Sequence, residues 1–196
     1  VAVMGETSSM SGESASMTDI GLQKTQRRLL EALADTGKEI VLVLVNGRPM
    51  TLEWEDRNCG AILEAWAPGV QGGKAVADIL FGAYNPSGKL AMSFPVNVGQ
   101  IPIYYSTKPT GRPYVPYGKY TAGYIDCLNE PLYPFGYGLS YGKVEYSNLK
   151  VDTARPGGEI QVMVTLSNTG PFRVTETVQL YIGDPVASIS RPVKEL

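Results

Sequence analysis

Histidine is missing from all 196 residues of the chain. That absence removes Ser-His-Asp triads, Cys-His dyads and most zinc sites as sources of chemistry. Cysteine is scarce: Cys59 and Cys127 are too few for a disulfide framework and lack metal-like spacing, so two free thiols are expected. No apolar run approaches the roughly 20 residues a membrane-spanning helix needs, and no basic stretch followed by an apolar one marks the N-terminus. Neither charge sign dominates, and a net charge of −2 gives no electrostatic reason to expect nucleic acid or an anionic membrane as partner. A nucleotide-binding domain is disfavoured, because no glycine-rich phosphate loop follows a candidate strand at the needed spacing. What remains is an ordinary globular composition, 43% apolar with both charges interspersed, in a chain long enough for one domain and part of a second. It opens inside the apolar run Val1-Ala2-Val3-Met4 and stops at Val193-Lys194-Glu195-Leu196, so a piece of a longer protein is expected.

The first two-thirds alternate short β-branched runs with helical patterns, which predicts a parallel α/β sheet. Val1 to Met4 reads as the end of a buried strand. Leu22, Leu29, Leu30 and Leu33 recur among Gln23, Lys24, Arg27, Arg28 and Glu31, predicting one apolar face on a solvated helix that ends at Gly37. Ile40 to Val45 is apolar without alternation, as in a strand covered on both faces. Ala61 to Trp66 reads as a third strand, and Gly72-Gly73 opens a helix with Ala75, Val76, Ile79 and Leu80 inward and Gly82 at its end. After the turn Asn85-Pro86-Ser87-Gly88 a last short strand is expected from Lys89 to Phe94. From Ile101 to Tyr141 the chain is rich in Pro, Gly and Tyr with no period, and segments of that length are usually functional or wrap another surface. Beyond Tyr141, Glu159 to Leu166 alternates cleanly and Thr177 to Ile182 repeats the theme, with Asn168-Thr169-Gly170 as a turn between. This predicts the opening of an antiparallel sandwich with about three of roughly seven strands.

Ligands of open α/β sheets sit beyond the carboxyl ends of the strands. The first such edge carries Gly5-Glu6 and the polar loop Thr7 to Ser16, which includes Glu13. Two carboxylates on one glycine- and serine-rich loop suit a general acid, although an acidic residue in a surface loop is more often simply solvated. At the second edge, Val45-Asn46-Gly47-Arg48-Pro49, the arginine has three uses: pairing with a carboxylate, binding substrate oxygens, or tying two loops together. At the third, Trp66 can stack on a sugar ring or pack in the core, the commoner fate of a large aromatic. On these grounds alone an enzyme piece and a binding module are comparable readings.

Taken together, the blocks resemble family 3 glycoside hydrolases, the β-glucosidase/β-xylosidase group. Gly5-Glu6 leading to Glu13, and Leu44-Val45-Asn46-Gly47-Arg48-Pro49, resemble the active-site edge of that family's second domain. Ala65 to Gly73 with Ala77 to Gly82, and Asn85 to Leu90 with Ser93-Phe94-Pro95, are similar to its next blocks, and Pro134 to Tyr141 is the most recognisable stretch. Ser190 to Leu196 is similar to part of a following fibronectin type III-like domain, and the loop with Gly111-Arg112-Pro113-Tyr114 and Lys119-Tyr120-Thr121 looks like that of bacterial periplasmic members.

The resemblance implies an α/β sandwich with a mostly parallel sheet over residues 1–100. A wrapping and linking segment would follow at 101–143, then the start of an all-β fibronectin type III-like sandwich at 144–196. It further implies a retaining β-glycosidase whose aspartate nucleophile lies in a preceding barrel; Asp19, Asp56 and Asp78 do not stand in that motif, so the chain alone is expected to be inactive. Retention needs two carboxyl groups about 5–5.5 Å apart, one ionised and one protonated. The acid/base matches Glu13, with Glu6 as the alternative holding the loop in place. Arg48 would position that loop or its carboxylate near substrate, and Trp66 would be structural. The implied partners are a β-linked oligosaccharide or aryl glucoside and the barrel of the same chain, in the periplasm or outside the cell. No metal or organic cofactor is implied, since the chemistry needs only carboxylates and water. The rival is a non-catalytic carbohydrate-binding or structural module on the same architecture.

Overall fold

A computed structural model describes residues 1–152 and 158–196. Two compact units are distinguishable, one of residues 1–76, 90–137 and 179–196, the other of residues 77–89 and 138–178.

In the first unit, β1 (Ala2–Gly5), β2 (Val41–Val45) and β3 (Ala61–Glu64) form a parallel sheet in the order β1-β2-β3. The register sets Gly5 beside Val45 and Leu44 beside Glu64, so all three strands deliver their carboxyl ends to one edge. The unbroken apolar run of β2 has its expected cause: the strand is central, and Leu42, Val43 and Leu44 are buried on both faces. Leu42 and Leu44 join Leu22, Leu30, Ile40, Met50, Leu52 and Phe94 in a single core. Burial of each large apolar side chain contributes about 1.5–3 kcal/mol.

Helix α1 (Lys24–Ala34) corrects one expectation. Leu30 is fully buried, but Leu29 and Leu33 are exposed. The inward face runs instead through Gln26, Arg27, Leu30 and Ala34, at helical spacing. Its polar members are tied down: Arg27 donates to both Glu55 oxygens, at 2.9 and 2.8 Å, and lies 5.0 Å over the Trp54 ring. Glu55 sits on a short helix α2 (Glu53–Asn58) that was not expected, because six residues with one large apolar side chain carry no readable period.

Helix α3 spans Gly72–Leu80, as the glycine pair suggested, but Ala75 on its expected inner face is exposed. No strand forms from Lys89 to Phe94. The backbone of Phe94 exchanges two hydrogen bonds with Tyr133, and Leu90 bonds to Tyr137 and Gly136. Pro95, Pro131 and Pro134 remove donors on either side, so the pairing stays a set of isolated contacts. The Tyr-rich segment therefore folds back on its own sheet. Tyr133 packs edge-on to Phe94 and donates to Asp56 at 2.5 Å, Gln100 holds the carbonyls of Leu128 and Glu130, and Tyr105 stacks on Phe135 with centroids 4.3 Å apart.

In the second unit, β4 (Val144–Asp152) and β5 (Gln161–Asn168) pair antiparallel, with Gly170 N–H capping back to Asn168 Oδ1 at the expected turn. A bulge between Ser147 and Lys150, with Asn148 at φ 52°, shifts the side-chain phase of β4 midway and hides its alternation in the sequence. Asn85 organises this unit: its Oδ1 accepts from Ser140 Oγ and Tyr141 N–H, and its Nδ2 donates to Arg173 O. The strand expected from Thr177 to Ile182 does not form; Ile182, in the first unit, keeps a single bridge to Glu195.

Candidate active-site edge

Three chain segments far apart in sequence meet where the parallel strands end. β1 finishes at Gly5 with φ 139°, a conformation that only glycine holds without strain, and a Cβ there would run into the Val45 carbonyl. The Gln26 amide grips this residue from α1, accepting from its N–H at 3.0 Å and donating to its carbonyl at 2.9 Å. The next side chain, Glu6, is thereby aimed along the edge toward β2.

Glu6 is held by two partners. Its carboxylate, 4% exposed, accepts from Gly47 N–H at 3.0 Å through Oε2, and Oε1 lies 2.7 Å from Arg48 Nε in a close charge contact without the alignment of a hydrogen bond. The Arg48 Nη2 then donates to two backbone carbonyls of the loop, Met10 O and, at 2.8 Å, Ala15 O. Gly47 lets the loop close down, since a Cβ at that position would collide with Ser11. One guanidinium thus joins the end of β1, the end of β2 and both halves of the loop 7–16.

Glu13 lies in that loop between the two gripped carbonyls. It is exposed, and its side chain makes no hydrogen bond or ion pair with another described residue. The structure therefore brings Glu6 and Arg48 together and leaves Glu13 apart from them.

The ends of β2 and β3 each add a residue that the sequence reading did not single out. Asn46, 4% exposed, donates through Nδ2 to Arg48 O at 2.6 Å, while its N–H bonds to Trp66 O. Glu64, the last residue of β3, accepts from Trp66 N–H at 2.7 Å through Oε1. Burial pushes the Glu64 carboxyl up to about 7, against opposing pulls from the Trp66 N–H and the Asn46 side chain. The available signal was a charged residue inside the otherwise apolar run Ala61 to Trp66. Trp66 itself is half-buried and packs its ring against Phe94 at 5.7 Å. Among the described residues no three Cys, Asp or Glu side chains converge as a metal site.

The model of the glycosyl hydrolase family 3 C-terminal domain matches residues 1–141. The chain belongs to this family. Relatives of this family 3 chain include a periplasmic beta-glucosidase of Salmonella typhimurium, 51% identical over all of the chain and 26% of that protein. A beta-xylosidase of Formosa agariphila is 39% identical over all of the chain and 27% of that protein. Among solved structures, beta-glucosidase from Listeria innocua in complex with glucose superposes with a TM-score of 0.91 at 42% identity, over 98% of the chain and 27% of that protein. The family 3 chain thus spans about a quarter of the length of the curated relatives it matches.

Proposed function

We propose that the chain is the acid/base-lending part of a retaining β-glycosidase. It would act on terminal β-D-glucosyl residues of β-linked oligosaccharides or aryl glucosides, with β-xylosyl residues as a second substrate class. The observation that carries this reading is an unpaired carboxyl group, Glu13, on a loop whose two halves are clamped by one half-buried arginine. A general acid needs a mobile proton and a fixed address. Glu6 has the address but is committed to Arg48, whereas Glu13 is uncommitted and its loop is anchored. Arg48 accordingly acts on substrate only through the loop it holds.

In the working enzyme a barrel domain supplies the aspartate nucleophile, and Glu13 enters from the second domain to protonate the leaving oxygen. The same residue then activates the water that releases the sugar. The α/β domain would take residues 1–100, the wrapping segment 101–143 and the fibronectin type III-like domain 144–196, in a periplasmic or secreted protein.

The test uses the full-length protein with Glu13→Ala and Glu6→Ala on two β-glucosides, one with an activated nitrophenyl leaving group and one with a sugar leaving group. Glu13→Ala should lose orders of magnitude on the sugar substrate, lose far less in glycosylation by the activated one, and regain turnover with azide, because only the poor leaving group needs its proton. The same signature in Glu6→Ala alone moves the assignment to Glu6. No effect of either change refutes an acid/base role for this domain and favours a binding or structural module.

A further inference from the structure

Trp66 has a backbone conformation that its side chain does not favour. Its φ of 50° lies in the left-handed region, where a bulky residue is an outlier, and such a conformation persists only when its surroundings fix it. Three contacts fix it here. Glu64 Oε1 accepts from the Trp66 N–H at 2.7 Å, the Trp66 carbonyl accepts from the Asn46 N–H at 3.1 Å, and the ring packs on Phe94 with centroids 5.7 Å apart. The register of the sheet shows what the conformation achieves. Leu44 pairs with Glu64, and the Ala65 N–H donates to Leu44 O at 2.9 Å. A regular parallel ladder would next carry the Asn46 N–H to the Ala65 carbonyl. It reaches Trp66 O instead, so the left-handed residue shifts the last contact of the sheet by one position. Among the described residues β3 is an edge strand, and its own Glu64 supplies the acceptor for the Trp66 N–H that a further strand would otherwise offer.

We propose that Trp66 is a positioning residue for the acid/base loop and acts through its backbone: held left-handed by Glu64, it gives its carbonyl to the Asn46 N–H and so fixes the segment from which Arg48 grips the loop. From Asn46 onward each step is a hydrogen bond. Asn46 Nδ2 holds Arg48 O at 2.6 Å, and Arg48 Nη2 holds Met10 O and Ala15 O on either side of Glu13. The side chain and the peptide of Trp66 therefore have separate tasks, the ring in the core and the carbonyl at the edge.

The positioning role rests on the reading of Glu13 as the acid; the fixed backbone of Trp66 does not. Both are tested in the full-length enzyme, first with Trp66→Asn and Trp66→Val. Each loses the ring, but asparagine tolerates a left-handed backbone and a β-branched side chain does not. Trp66→Val should lower kcat on the sugar-leaving-group substrate about 10-fold to 100-fold, with much smaller loss on the nitrophenyl substrate and little change in KM. Trp66→Asn should keep most of the wild-type rate. Equal rates for the two variants, or equal losses on both substrates, overturn the positioning role. A second measurement leaves the tryptophan in place: Glu64→Leu removes the acceptor for its N–H, and Glu64→Gln keeps one. Hydrogen exchange at the Asn46 amide should quicken about 10-fold or more in Glu64→Leu only, while the Ala65 amide, bonded to Leu44, stays protected. Unchanged exchange at Asn46 in Glu64→Leu, or equal quickening in Glu64→Gln, overturns the link. If the Asn46 amide responds as stated but Glu13→Ala is without effect on either substrate, the acid/base reading has failed while the fixed backbone of Trp66 stands.

Discussion

Removing the Arg48 guanidinium should release the loop 7–16 while leaving the sheet in place. In Arg48→Ala the Glu6 carboxylate, 4% exposed, keeps only the Gly47 N–H beside it. Stranding one member of a buried pair costs about 3–5 kcal/mol. The Met10 and Ala15 carbonyls turn to water at the open edge, so their two bonds add only about 0.5–1.5 kcal/mol each. The stranded charge is therefore the larger part, and it has a signature. In a Glu6→Gln background no charge is left behind, so Arg48→Ala should cost about 2 kcal/mol less than in the wild type. The assay is hydrogen exchange in the full-length protein, which reads local opening free energies amide by amide. Faster exchange should be confined to residues 7–16 and 46–48, while β2 amides stay protected. Arg48→Lys should recover little, because a point charge cannot hold a carboxylate and two carbonyls at once. Additivity of the two changes to within about 0.5 kcal/mol, or unchanged exchange in the loop, would refute the clamp.

Three further outcomes follow from the same geometry. Because burial raises the Glu64 carboxyl from its ordinary 4.5 to about 7, the folded chain binds a proton that the unfolded chain has released between those values. Stability linked to Glu64 is thus full below pH ~4.5 and lost as pH rises through ~7, by about 3 kcal/mol at most. Urea titrations should show Glu64→Gln gaining on the wild type by that order between pH 5 and 8, and a constant gap would disprove it. Gly5→Ala should destabilise by more than about 2 kcal/mol, since it strains the backbone and meets the Val45 carbonyl; thermal denaturation within a degree of wild type would contradict this. Glu55→Ala, which leaves the half-buried Arg27 without its fully buried partner, should cost about 3 kcal/mol, and Glu55→Gln less. Denaturant midpoints in the opposite order would show that the pair is not what binds α1 to α2.

How much was legible depended on whether each segment's pattern had a single cause. The β2 run could be read because one cause, burial on both faces, made every position apolar. Helix α1 was legible as a helix but not in its orientation, since its inward face mixes Leu30 with Gln26 and Arg27, which look solvated until their partners Gly5 and Glu55 are known. Strand β4 was hidden by a bulge that shifts the phase of its side chains, and α2 by its shortness. At the site, the resemblance pointed to Glu6, Glu13 and Arg48 together, but the division between them is a matter of distance. Glu6 lies 41 residues from Gly47, and Arg48 lies 38 and 33 residues from Met10 and Ala15, and nothing in residue type says that Glu6 is the bound carboxylate and Glu13 the free one. Asn46 and Glu64 were missed for the opposite reason: each looks ordinary in the sequence, and only the burial of an oxygen without a hydrogen-bond partner marks it.

Arg48 holds the loop by the carbonyl oxygens of Met10 and Ala15, and any amino acid offers a carbonyl. The grip is therefore blind to the side chains it restrains. Residues between the two anchor points can be exchanged, and the span lengthened or shortened, without rebuilding the anchor, because a longer flexible loop costs little extra closure entropy. Side chains in that span can change while the sheet edge stays as it is. A scaffold that fastens its most adaptable part through the one chemical group all residues share separates what must be constant from what is free to change.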